Sequence, residues 1–423
     1  MMARLFYTLA ILALLPWAVL HLLWRARRQP QYLRHWRERF GFFAPAPDAP
    51  LIWIHAVSVG ETRAAEPLVA ALRERHPGHR LLITHMTPTG RQTSEALFGD
   101  HVARCYLPYD TPWAARRFLR HFRPSVGLIM ETEIWPNLVA ACRDAGLPLL
   151  LVNARLSEKS ARRYGRFPRL TGAALGALSA ISAIGTDDAQ RLQELGAAEV
   201  AVFGNLKFDI DPPAGQLHLG EEFRRRCGGR PVFLCASTRD GEESLILDAW
   251  RACGVPNALL VLVPRHPQRF AAVAALAAAR GYKVGRRSEN GAVPADTQVW
   301  IGDSMGEMFA YYAAADAAFV GGSLLDYGSQ NLIEPCAVGT PVLIGPSTFN
   351  FRDAAREALA CGAAAAVGDA AELVAATAAL LADGGRRDAM GAAGKAFAAR
   401  HRGATDRTLE LVERFIRISG ARD

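Results

Sequence analysis

Short, almost wholly apolar segments recur along the chain, and longer stretches with helical periodicity separate them. Near-continuous apolar strands that alternate with helices are typical of a parallel β-sheet covered by helices on both faces. This alternation predicts an α/β chain built from doubly wound sheets. The predicted strands are LIWIHAV, RLLITHM, VARCYLPY, SVGLIME, PLLLVNA, AISAIGT and EVAVFGN in the first half, and PVFLCAS, ALLVLVPR, YKVGRRS, TQVWIGD, AAFVGGS, TPVLIGP and AAAAVGD in the second.

One segment interrupts this rhythm and predicts a domain boundary. The stretch DIDPPAGQLHLGEE, residues 209–222, contains two prolines and two glycines, and the alternation restarts after it. A length of 423 residues also favours more than one domain. We therefore predict a first Rossmann-like domain over 29–208, a linker over 209–228 and a second Rossmann-like domain over 229–400. A C-terminal helix over 401–423 follows, for which packing against the first domain is one expectation.

The N-terminal segment is apolar and then basic. Residues 5–24 contain no Asp, Glu, Lys or Arg, and twenty apolar residues can cross a hydrocarbon core of about 30 Å. Arg25, Arg27 and Arg28 follow at once, which places the C-terminal side in the cytoplasm. Residues 1–28 are therefore predicted to be a membrane anchor that can be removed without loss to the core. A cleaved signal peptide and a monotopic helix that dips into the membrane are the alternatives.

The basic charge of the chain is concentrated at this same end. Residues 1–45 contain seven arginines against one acid, Glu38, and so carry most of the formal net charge of +8. Because the remaining chain is nearly neutral, a general nucleic-acid surface is excluded and no nucleic-acid partner is expected. The seven cysteines form no CxxC pair and no zinc spacing, so we interpret them as buried thiols in a reducing compartment.

Polar side chains follow the predicted strands in both halves of the chain. Each has a structural alternative: Glu61 can complement a helix dipole, Glu131 can cap a helix, Lys207 can be solvated, and Arg265 with His266 can form a surface turn. Their joint occurrence at successive strand ends instead predicts a site assembled in an interdomain cleft. The residues concerned are Glu61, Glu131, Glu133 and Lys207 in the first half, and Arg265, His266, Met305, Gly306, Glu307, Gly321, Gly322, Asn331 and Glu334 in the second.

Several motifs resemble those of the Kdo transferases of lipopolysaccharide synthesis, where Kdo is 3-deoxy-D-manno-octulosonate. They run in order from about residue 30 to about residue 350: HAVSVGE, ETEIWPNL, GNLKFD, PRHPQRF, GDSMGEM, VGGSL and QNLIEP followed by GTPVLIGP. The resemblance implies a GT-B fold with two Rossmann-like domains that face each other across a cleft. It also implies an inverting, metal-independent transferase that uses CMP-Kdo as donor. The implied acceptor is the tetraacylated lipid A precursor (lipid IVA) in the inner membrane, where the N-terminal segment would anchor the enzyme.

The same resemblance implies roles for individual residues. Glu61 matches the general base, and Glu131 and Lys207 match residues that stabilise the transition state. We expect Gly60 to allow a tight turn that exposes the Glu61 carboxylate, and Ser58 and Gly60 are candidates for the acceptor side. The candidates for CMP and donor binding are Arg265, His266, Met305, Gly306, Glu307, Asn331, Leu332, Ile333 and Glu334. No metal and no cofactor are expected, since CMP-Kdo is a substrate.

Two departures from the family pattern, and two rival functions, remain open. Arg239 and Asp240 stand where the family usually has a His-Glu pair, and Ser329 replaces a glycine before Asn331. The first change concerns donor or acceptor contacts, and the second concerns the freedom of the loop. One rival is another membrane-associated GT-B transferase with a UDP-sugar donor. The other is an inactive tether that binds anionic lipid through its arginine-rich end.

Overall fold

The chain divides into two α/β units. The computed structural model describes residues 2–45, 49–209, 211–253 and 255–420. The first unit comprises Met1–Asp209 together with Gly403–Asp423, and the second comprises Ile210–Arg402. The chain therefore returns to its first unit after the second is complete.

The first unit contains a seven-stranded parallel sheet in the order β3-β2-β1-β4-β5-β6-β7. Its strands are β1 Leu51–His55, β2 Arg80–His85, β3 Ala103–Tyr106, β4 Val126–Met130, β5 Leu149–Ala154, β6 Ala180–Ala183 and β7 Ala201–Val202. In the central register, Trp53 of β1 lies opposite Leu82 of β2 and Gly127 of β4. A Cβ atom at Gly127 would lie 2.7 Å from the Trp53 ring, so only glycine allows the indole to lie flat on the neighbouring strand.

The helices that precede and cover this sheet alternate with its strands. They are α1 Met2–Arg28, α2 Val59–Ala64, α3 Glu66–Arg75, α4 Pro88–Phe98, α5 Pro112–Phe122, α6 Pro136–Asp144, α7 Glu158–Tyr164, α8 Pro168–Leu175 and α9 Thr186–Glu194. Short 3₁₀ turns lie at Pro30–Leu33, Trp36–Phe40, Gly99–His101 and Leu206–Phe208. Four of these helices begin with proline, which fits the first helical position because its missing N–H would have no partner there.

The second unit contains another seven-stranded parallel sheet, in the order β10-β11-β9-β8-β12-β13-β14. Its strands are β8 Val232–Thr238, β9 Leu259–Pro264, β10 Val284–Arg286, β11 Val299–Ile301, β12 Ala317–Val320, β13 Val342–Ile344 and β14 Ala364–Ala366. Its helices are α10 Ala214–Arg226, α11 Glu242–Cys253, α12 Phe270–Ala279, α13 Met308–Ala314, α14 Ile333–Val338, α15 Arg352–Ala360, α16 Ala370–Ala382 and α17 Gly384–Arg400, with 3₁₀ turns at Pro267–Arg269 and Arg287–Glu289.

Each sheet has a core on both faces, as near-continuous apolar strands require. In β1, Trp53 belongs to one core while Ile52 and Ile54 belong to the other, because successive side chains of a strand point to opposite faces. The last helix, α18 Ala404–Gly420, contributes Leu409 and Val412 to the second of these cores. It packs against α3 and β4 of the first unit.

The segment interpreted as a linker contains a packed helix. Residues 214–226 form α10, and Phe223 is fully buried against the rings of Trp300 and Tyr311 in the second unit. The prolines and glycines that interrupt the strand pattern lie mainly at the start of α10. Their composition marks the end of one unit, but it conceals a helix whose packing depends on residues far along the chain.

The N-terminal apolar segment is helical, as predicted. In the described part of the chain, α1 is the one helix that is long and apolar enough to cross a membrane. It packs against α6 and α8 of the first unit. The seven cysteines are all free thiols, and five of them are buried.

Candidate active site

Glu61 lies in the first turn of α2, directly beyond the end of β1. Ser58 is the N-cap of α2, and its hydroxyl accepts a hydrogen bond from the Glu61 backbone N–H. The Glu61 carboxylate in turn accepts hydrogen bonds from the Val57 N–H at 2.6 Å and from the Ser58 hydroxyl at 2.9 Å. This is the reciprocal arrangement of a capping box, displaced by one residue. Glu61 therefore has a structural role at the helix start in addition to any chemical one.

Burial makes the Glu61 carboxylate a base near neutral pH. The side chain is only 8% exposed. Desolvation raises its pKa to about 7, and the charges of Glu131 and Glu133 act in the same direction, while the bonds from Val57 and Ser58 act against it. A carboxyl group that titrates near the working pH has the protonation behaviour of a general base.

The expected role of Gly60 is wrong. Gly60 lies inside α2 with helical geometry, and a Cβ atom there would meet only the Ser58 hydroxyl, at 3.7 Å. The carboxylate of Glu61 is also buried, where the sequence predicts exposure. The close approach is instead at Gly90 of α4, where a Cβ atom would lie 3.0 Å from the Val57 carbonyl oxygen. Gly90 thus lets α4 pack against the loop that holds Glu61.

Glu131, directly after β4, and Lys207, in the 3₁₀ turn after β7, form an ion pair. The Lys207 Nζ donates to the Glu131 Oε1 at 2.9 Å, and both side chains are partly exposed. Glu131 follows β4 directly and has a φ of +59°, which is uncommon for a residue with a Cβ atom. Strained backbone of this kind persists where the surrounding structure determines it, and it concentrates at functional sites.

Asn153, which the sequence analysis does not single out, positions the Lys207 segment. Its side-chain oxygen accepts a hydrogen bond from the Leu206 N–H at 2.9 Å, and Asn153 itself has a φ of +53° within β5. Asn205 then caps the turn by accepting from the Lys207 N–H at 3.0 Å. An asparagine in an otherwise apolar strand is the signal in the sequence that marks this position.

Glu133 completes a group of three acidic side chains at this edge of the sheet. Desolvation raises the pKa of Glu133, and the charge of Glu131 raises it further. The backbone between them is fixed by Tyr164, whose hydroxyl donates to the Thr132 carbonyl oxygen at 3.0 Å. The three carboxylates therefore share one electrostatic environment in which adding negative charge is unfavourable.

Two buried histidines lie at the ends of β1 and β2. The His55 Nδ1 shares a hydrogen bond with the Thr84 hydroxyl, and the His85 Nδ1–H donates to the Ala56 carbonyl oxygen. Burial lowers the pKa of His55 to about 3 and that of His85 to about 4. Both rings are therefore neutral near pH 7, and at their Nδ1 atoms they brace the strands beneath Glu61.

In the second unit, three arginines surround His266 at the carboxyl ends of β8 and β9. The Arg239 guanidinium lies 3.0 Å from the His266 Nε2 and 4.7 Å from the centre of the Tyr327 ring. Desolvation lowers the pKa of His266, and Arg239, Arg265 and Arg269 lower it further. The imidazole is therefore neutral and lies in a strongly positive environment, which suits an anionic ligand.

Two buried acids that the sequence analysis does not assign connect the loops of this region. Glu242 is fully buried, and its carboxylate accepts from the N–H groups of Arg239 at 2.8 Å, Gly322 at 2.7 Å and Leu324 at 3.1 Å. Glu243 accepts from Thr238 and receives two bonds from Arg269. Their position after Gly241, at the start of α11, is the only sequence signal for this role.

The Gly321-Gly322 pair is required by close backbone approach. A Cβ atom at Gly321 would lie 2.6 Å from the Ser237 carbonyl oxygen, and Gly322 has a φ of +72°. The loop that precedes Asn331 is then bound to this pair, because Ser329 N–H donates to the Gly322 carbonyl oxygen at 2.7 Å. Ser329 itself has a φ of +69°. The serine therefore adopts the left-handed conformation that a glycine would adopt without steric cost.

The late motif brings Asn331 and Glu334 together and buries the residues between them. The Asn331 amide donates to the Glu334 carboxylate at 3.2 Å, and its oxygen accepts from the Ile333 N–H at 3.0 Å. Leu332 and Ile333 are fully buried, so their side chains belong to the core. Burial raises the pKa of Glu334 to about 7, and the nearby charge of Arg265 lowers it.

The Met305-Gly306-Glu307 segment also combines residues that are accessible with a residue that is engaged inside the protein. Met305 is 59% exposed, and Gly306 has a φ of +77° with open space around its missing side chain. The Glu307 carboxylate accepts two hydrogen bonds from Arg287, at 2.9 and 3.0 Å, and one from the Ser304 hydroxyl at 2.6 Å. Its binding capacity is therefore used within the protein, whereas the Gly306 backbone is accessible.

The described residues contain no group of three or more His, Cys, Asp or Glu side chains arranged to hold a metal ion.

Comparisons with known proteins agree with one another. A family model described as 3-deoxy-D-manno-octulosonic-acid transferase (kdotransferase) matches residues 34–210. The 3-deoxy-D-manno-octulosonic acid transferase of Bordetella pertussis is 46% identical to this chain, over 97% of this chain and 99% of that protein. The protein of the same name from Haemophilus influenzae is 37% identical, over 98% of this chain and 99% of that protein.

A solved structure supports the fold independently. A glycosyltransferase of Rickettsia africae covers 88% of this chain and 99% of its own, with a TM-score of 0.54 and 12% sequence identity. At this identity the likeness concerns the fold alone. Together with the two parallel sheets, it confirms the predicted GT-B fold.

Proposed function

Because the chain belongs to the family of 3-deoxy-D-manno-octulosonic acid transferases, we propose that it transfers Kdo from CMP-Kdo to the tetraacylated lipid A precursor, lipid IVA, in lipopolysaccharide biosynthesis. The observation that carries the mechanism is the buried Glu61 carboxylate beyond β1, with its pKa near 7. A glycosyl transfer to a hydroxyl group needs a base of this strength, because the hydroxyl loses its proton as it attacks.

The proposed reaction is a single displacement with inversion. The acceptor hydroxyl oxygen forms a bond to the anomeric carbon of Kdo as Glu61 takes its proton, and the bond between that carbon and the CMP phosphate oxygen breaks. CMP leaves with the electron pair of that bond. Each oxygen of Glu61 accepts one hydrogen bond within the protein, from Val57 or Ser58, and so retains a lone pair for the acceptor.

The ion pair of Lys207 and Glu131 is proposed to stabilise the charges that develop during transfer. Lys207 offsets negative charge on the Kdo carboxylate or on the departing phosphate, and Glu131 stabilises oxocarbenium character at the anomeric carbon. Since the two groups lie 2.9 Å apart, they form a preorganised pair, and the loss of either leaves the other uncompensated.

The second unit is proposed to hold the donor. Arg265 with His266 binds the CMP phosphate, and Glu334 with Asn331 binds the ribose hydroxyls. Arg239 joins this group through its contact with His266. At position 239 itself, the family usually has a histidine. The role proposed for Met305, Gly306 and Glu307 rests on the accessible Gly306 backbone, and the role of Leu332 and Ile333 is limited to their backbone atoms. A leaving group with one phosphate can be held by arginines alone, so we propose that no metal is required.

The test is the mass of the lipid product. Purified full-length enzyme is incubated with lipid IVA and freshly generated CMP-Kdo, and in parallel with UDP-sugars. The proposal predicts products heavier by one or more Kdo units with CMP-Kdo alone, and undiminished turnover in EDTA. A product formed only from a UDP-sugar would identify the chain as a different GT-B transferase. Absence of product from every donor, with lipid binding retained, would identify a tether.

A further inference from the structure

The N-terminal helix makes specific polar contacts with the first unit near its own N-terminus. The Tyr7 hydroxyl donates to the Asp110 carboxylate at 2.9 Å, and the Thr8 hydroxyl donates to the Asn137 side-chain oxygen at 3.0 Å. Asp110 and Asn137 are themselves almost fully buried, at 5% and 3% exposed. Asp110 also accepts from the N–H groups of Asn137 and Leu138 at the start of α6. Tyr7 and Thr8 thus join a buried network of the globular unit.

The other end of α1 packs against the turn Pro30–Leu33 that directly follows it. Leu22 and Ala26 form a small buried cluster with Tyr32, and the Arg25 guanidinium lies 4.5 Å from the centre of the Tyr32 ring. Between the two ends, the partly buried residues of α1 recur every three or four positions, as one face of a helix must. They are Ala3, Arg4, Tyr7, Thr8, Ile11, Leu15, Ala18, Val19, His21, Leu22 and Ala26, and all of them except Ala3 and His21 lie on that face.

This contact along the whole length is incompatible with a membrane-spanning orientation. Tyr7 and Arg28 are 21 residues apart, so a helical rise of about 1.5 Å per residue separates them by about 30 Å. That distance equals the thickness of a hydrocarbon core. In a spanning orientation Tyr7 would lie at the far side of the membrane, whereas Asp110 and Asn137 belong to the globular unit on the near side.

The opposite face of α1 is apolar and exposed. Trp17 is 63% exposed and Phe6 is 68% exposed, and no protein element in the described ranges covers this face. The exposed large side chains are Leu5, Phe6, Leu9, Leu12, Leu14, Trp17, Leu20, Leu23 and Trp24. A continuous apolar surface of this length on a folded protein indicates contact with a membrane or a partner.

The arginines next to the exposed face of α1 indicate that a membrane, and not a protein partner, covers this face. Arg25, Arg27, Arg34 and Arg37 are exposed at the C-terminal end of α1 and just beyond it. The one acid among residues 2–45, Glu38, is engaged with Arg91 at 2.9 Å. An apolar helix face next to arginines matches the interface of an anionic bilayer, with acyl chains against the leucines and tryptophans and phosphates against the arginines.

We propose that α1 lies in the plane of an anionic lipid bilayer, fixed along one face to the first unit through Tyr7–Asp110 and Thr8–Asn137, and does not cross the membrane. Asn137 follows the Glu131–Trp135 loop by two residues, at the start of α6. The helix therefore holds the loop of Glu131 and Glu133 at the lipid surface. This last consequence rests on the proposed function, since it serves an acceptor embedded in the membrane.

The two orientations differ in the side of the membrane on which the N-terminus lies. Met2→Cys, at a position 72% exposed, is introduced into a Cys253→Ser/Cys361→Ser variant, whose remaining cysteines are buried. Arg34→Cys in the same background is the matched control, since Arg34 lies beyond α1 on the side of the globular units. Inverted inner-membrane vesicles containing full-length protein are treated with a membrane-impermeant maleimide. An in-plane helix predicts equal labelling at both positions. Labelling of Met2→Cys only after detergent would overturn the proposal.

A double-mutant cycle tests the contact itself. Tyr7→Phe and Asp110→Asn are made singly and together in full-length protein, and thermal unfolding is followed in lipid nanodiscs. Because the two groups share a hydrogen bond, the shift in Tm of the double variant is expected to be smaller than the sum of the single shifts. Additive shifts would show that α1 does not dock on Asp110, and would overturn the proposal. Neither measurement depends on Kdo transfer, so each can fail while the proposed function stands.

Discussion

The carboxyl ends of the strands carry opposite charge in the two units. In the first, Glu61, Glu131 and Glu133 lie together, and burial raises the pKa of Glu61 to about 7. In the second, Arg239, Arg265 and Arg269 surround His266 and lower its pKa. The two sheets follow the same strand–loop–helix plan, so the plan fixes where polar groups gather and the loop residues fix their chemistry. A desolvated acid takes up protons, whereas a cluster of arginines binds anions.

The buried acids of the second unit offset only part of its positive charge, because Glu243 pairs with Arg269 whereas Glu242 binds backbone N–H groups. Glu242 is used by three backbone N–H groups, and Glu243 is used mainly by Arg269 and Thr238. In the first unit the corresponding position beyond the central strand carries Glu61, whose carboxylate caps a helix but retains acceptor capacity. An acid at a strand end can therefore serve either the loop or the chemistry, and its hydrogen-bond partners distinguish the two.

The largest expected effect is the loss of the base in the acidic unit. Glu61→Gln should lower turnover by about 10²- to 10⁴-fold, because proton removal from the acceptor is lost. Binding of CMP, measured by calorimetry, should be unchanged, since the residues proposed for CMP lie in the second unit. Glu66→Gln, at an exposed position of α3, is the matched control and should retain full activity. Turnover of Glu61→Gln within threefold of the wild type would refute the base assignment.

Removing an arginine from the group around His266 in the second unit should weaken binding of the CMP phosphate in particular. Arg265→Ala and Arg239→Ala should each weaken CMP binding by about 10- to 100-fold, the range expected when a charged hydrogen bond is removed. Binding of cytidine, which lacks the phosphate, should change little. Arg225→Ala, at an exposed position of α10, should leave both affinities unchanged. Equal losses for CMP and cytidine would mean that these arginines do not bind the phosphate.

The pH dependence of the reaction rate should reflect the titration of Glu61 in the first unit. As the proposed base, Glu61 acts in its carboxylate form, and its pKa is raised to about 7. At low acceptor concentration the rate should therefore rise with pH up to about 7 and level off above it. The rate is measured as a function of pH for the wild type and for Arg239→Ala. In the variant, the rate should rise over the same pH range as in the wild type. A rate that is independent of pH between about 5.5 and about 8 would contradict a base with this pKa.

The smallest effect expected is on stability, and it has the opposite sign to the effect on activity. The pKa of Glu61 is raised in the folded protein, so its stabilising contribution is present below about pH 4.5 and is lost as pH rises through about 7. At pH 8 the buried charge is unfavourable, and Glu61→Gln should raise Tm by a few °C. The difference in Tm between Glu61→Gln and the wild type should become smaller towards pH 5. Glu66→Gln is the control. A variant less stable than the wild type at pH 8 would show that hydrogen bonding outweighs desolvation.

Much of the fold and the positions of the candidate site residues could be predicted from the sequence, because the patterns involved are local. Apolar runs of strand length alternate with helical periodicity, and polar residues such as Glu61, Glu131 and Arg265 follow the runs directly in the chain. The carboxyl ends of parallel strands meet at one edge of a sheet, so position along the chain determined the edge on which each residue lies. The motifs determined the family for the same reason, since they are contiguous.

Only the tertiary structure decided the burial, the pKa values and the hydrogen-bond partners of these residues. The pKa of Glu61 depends on burial among elements distant in sequence, the lysine at 207 depends on Asn153, and the loop of Arg239 depends on the buried Glu242. The helix within the expected linker is stabilised by Trp300 and Tyr311. Composition established that α1 is apolar enough to enter a membrane. The in-plane orientation proposed for it rests on the contact of Tyr7 with Asp110, 103 positions away, because a hydrogen bond between distant residues exists only when the folded chain brings both partners together.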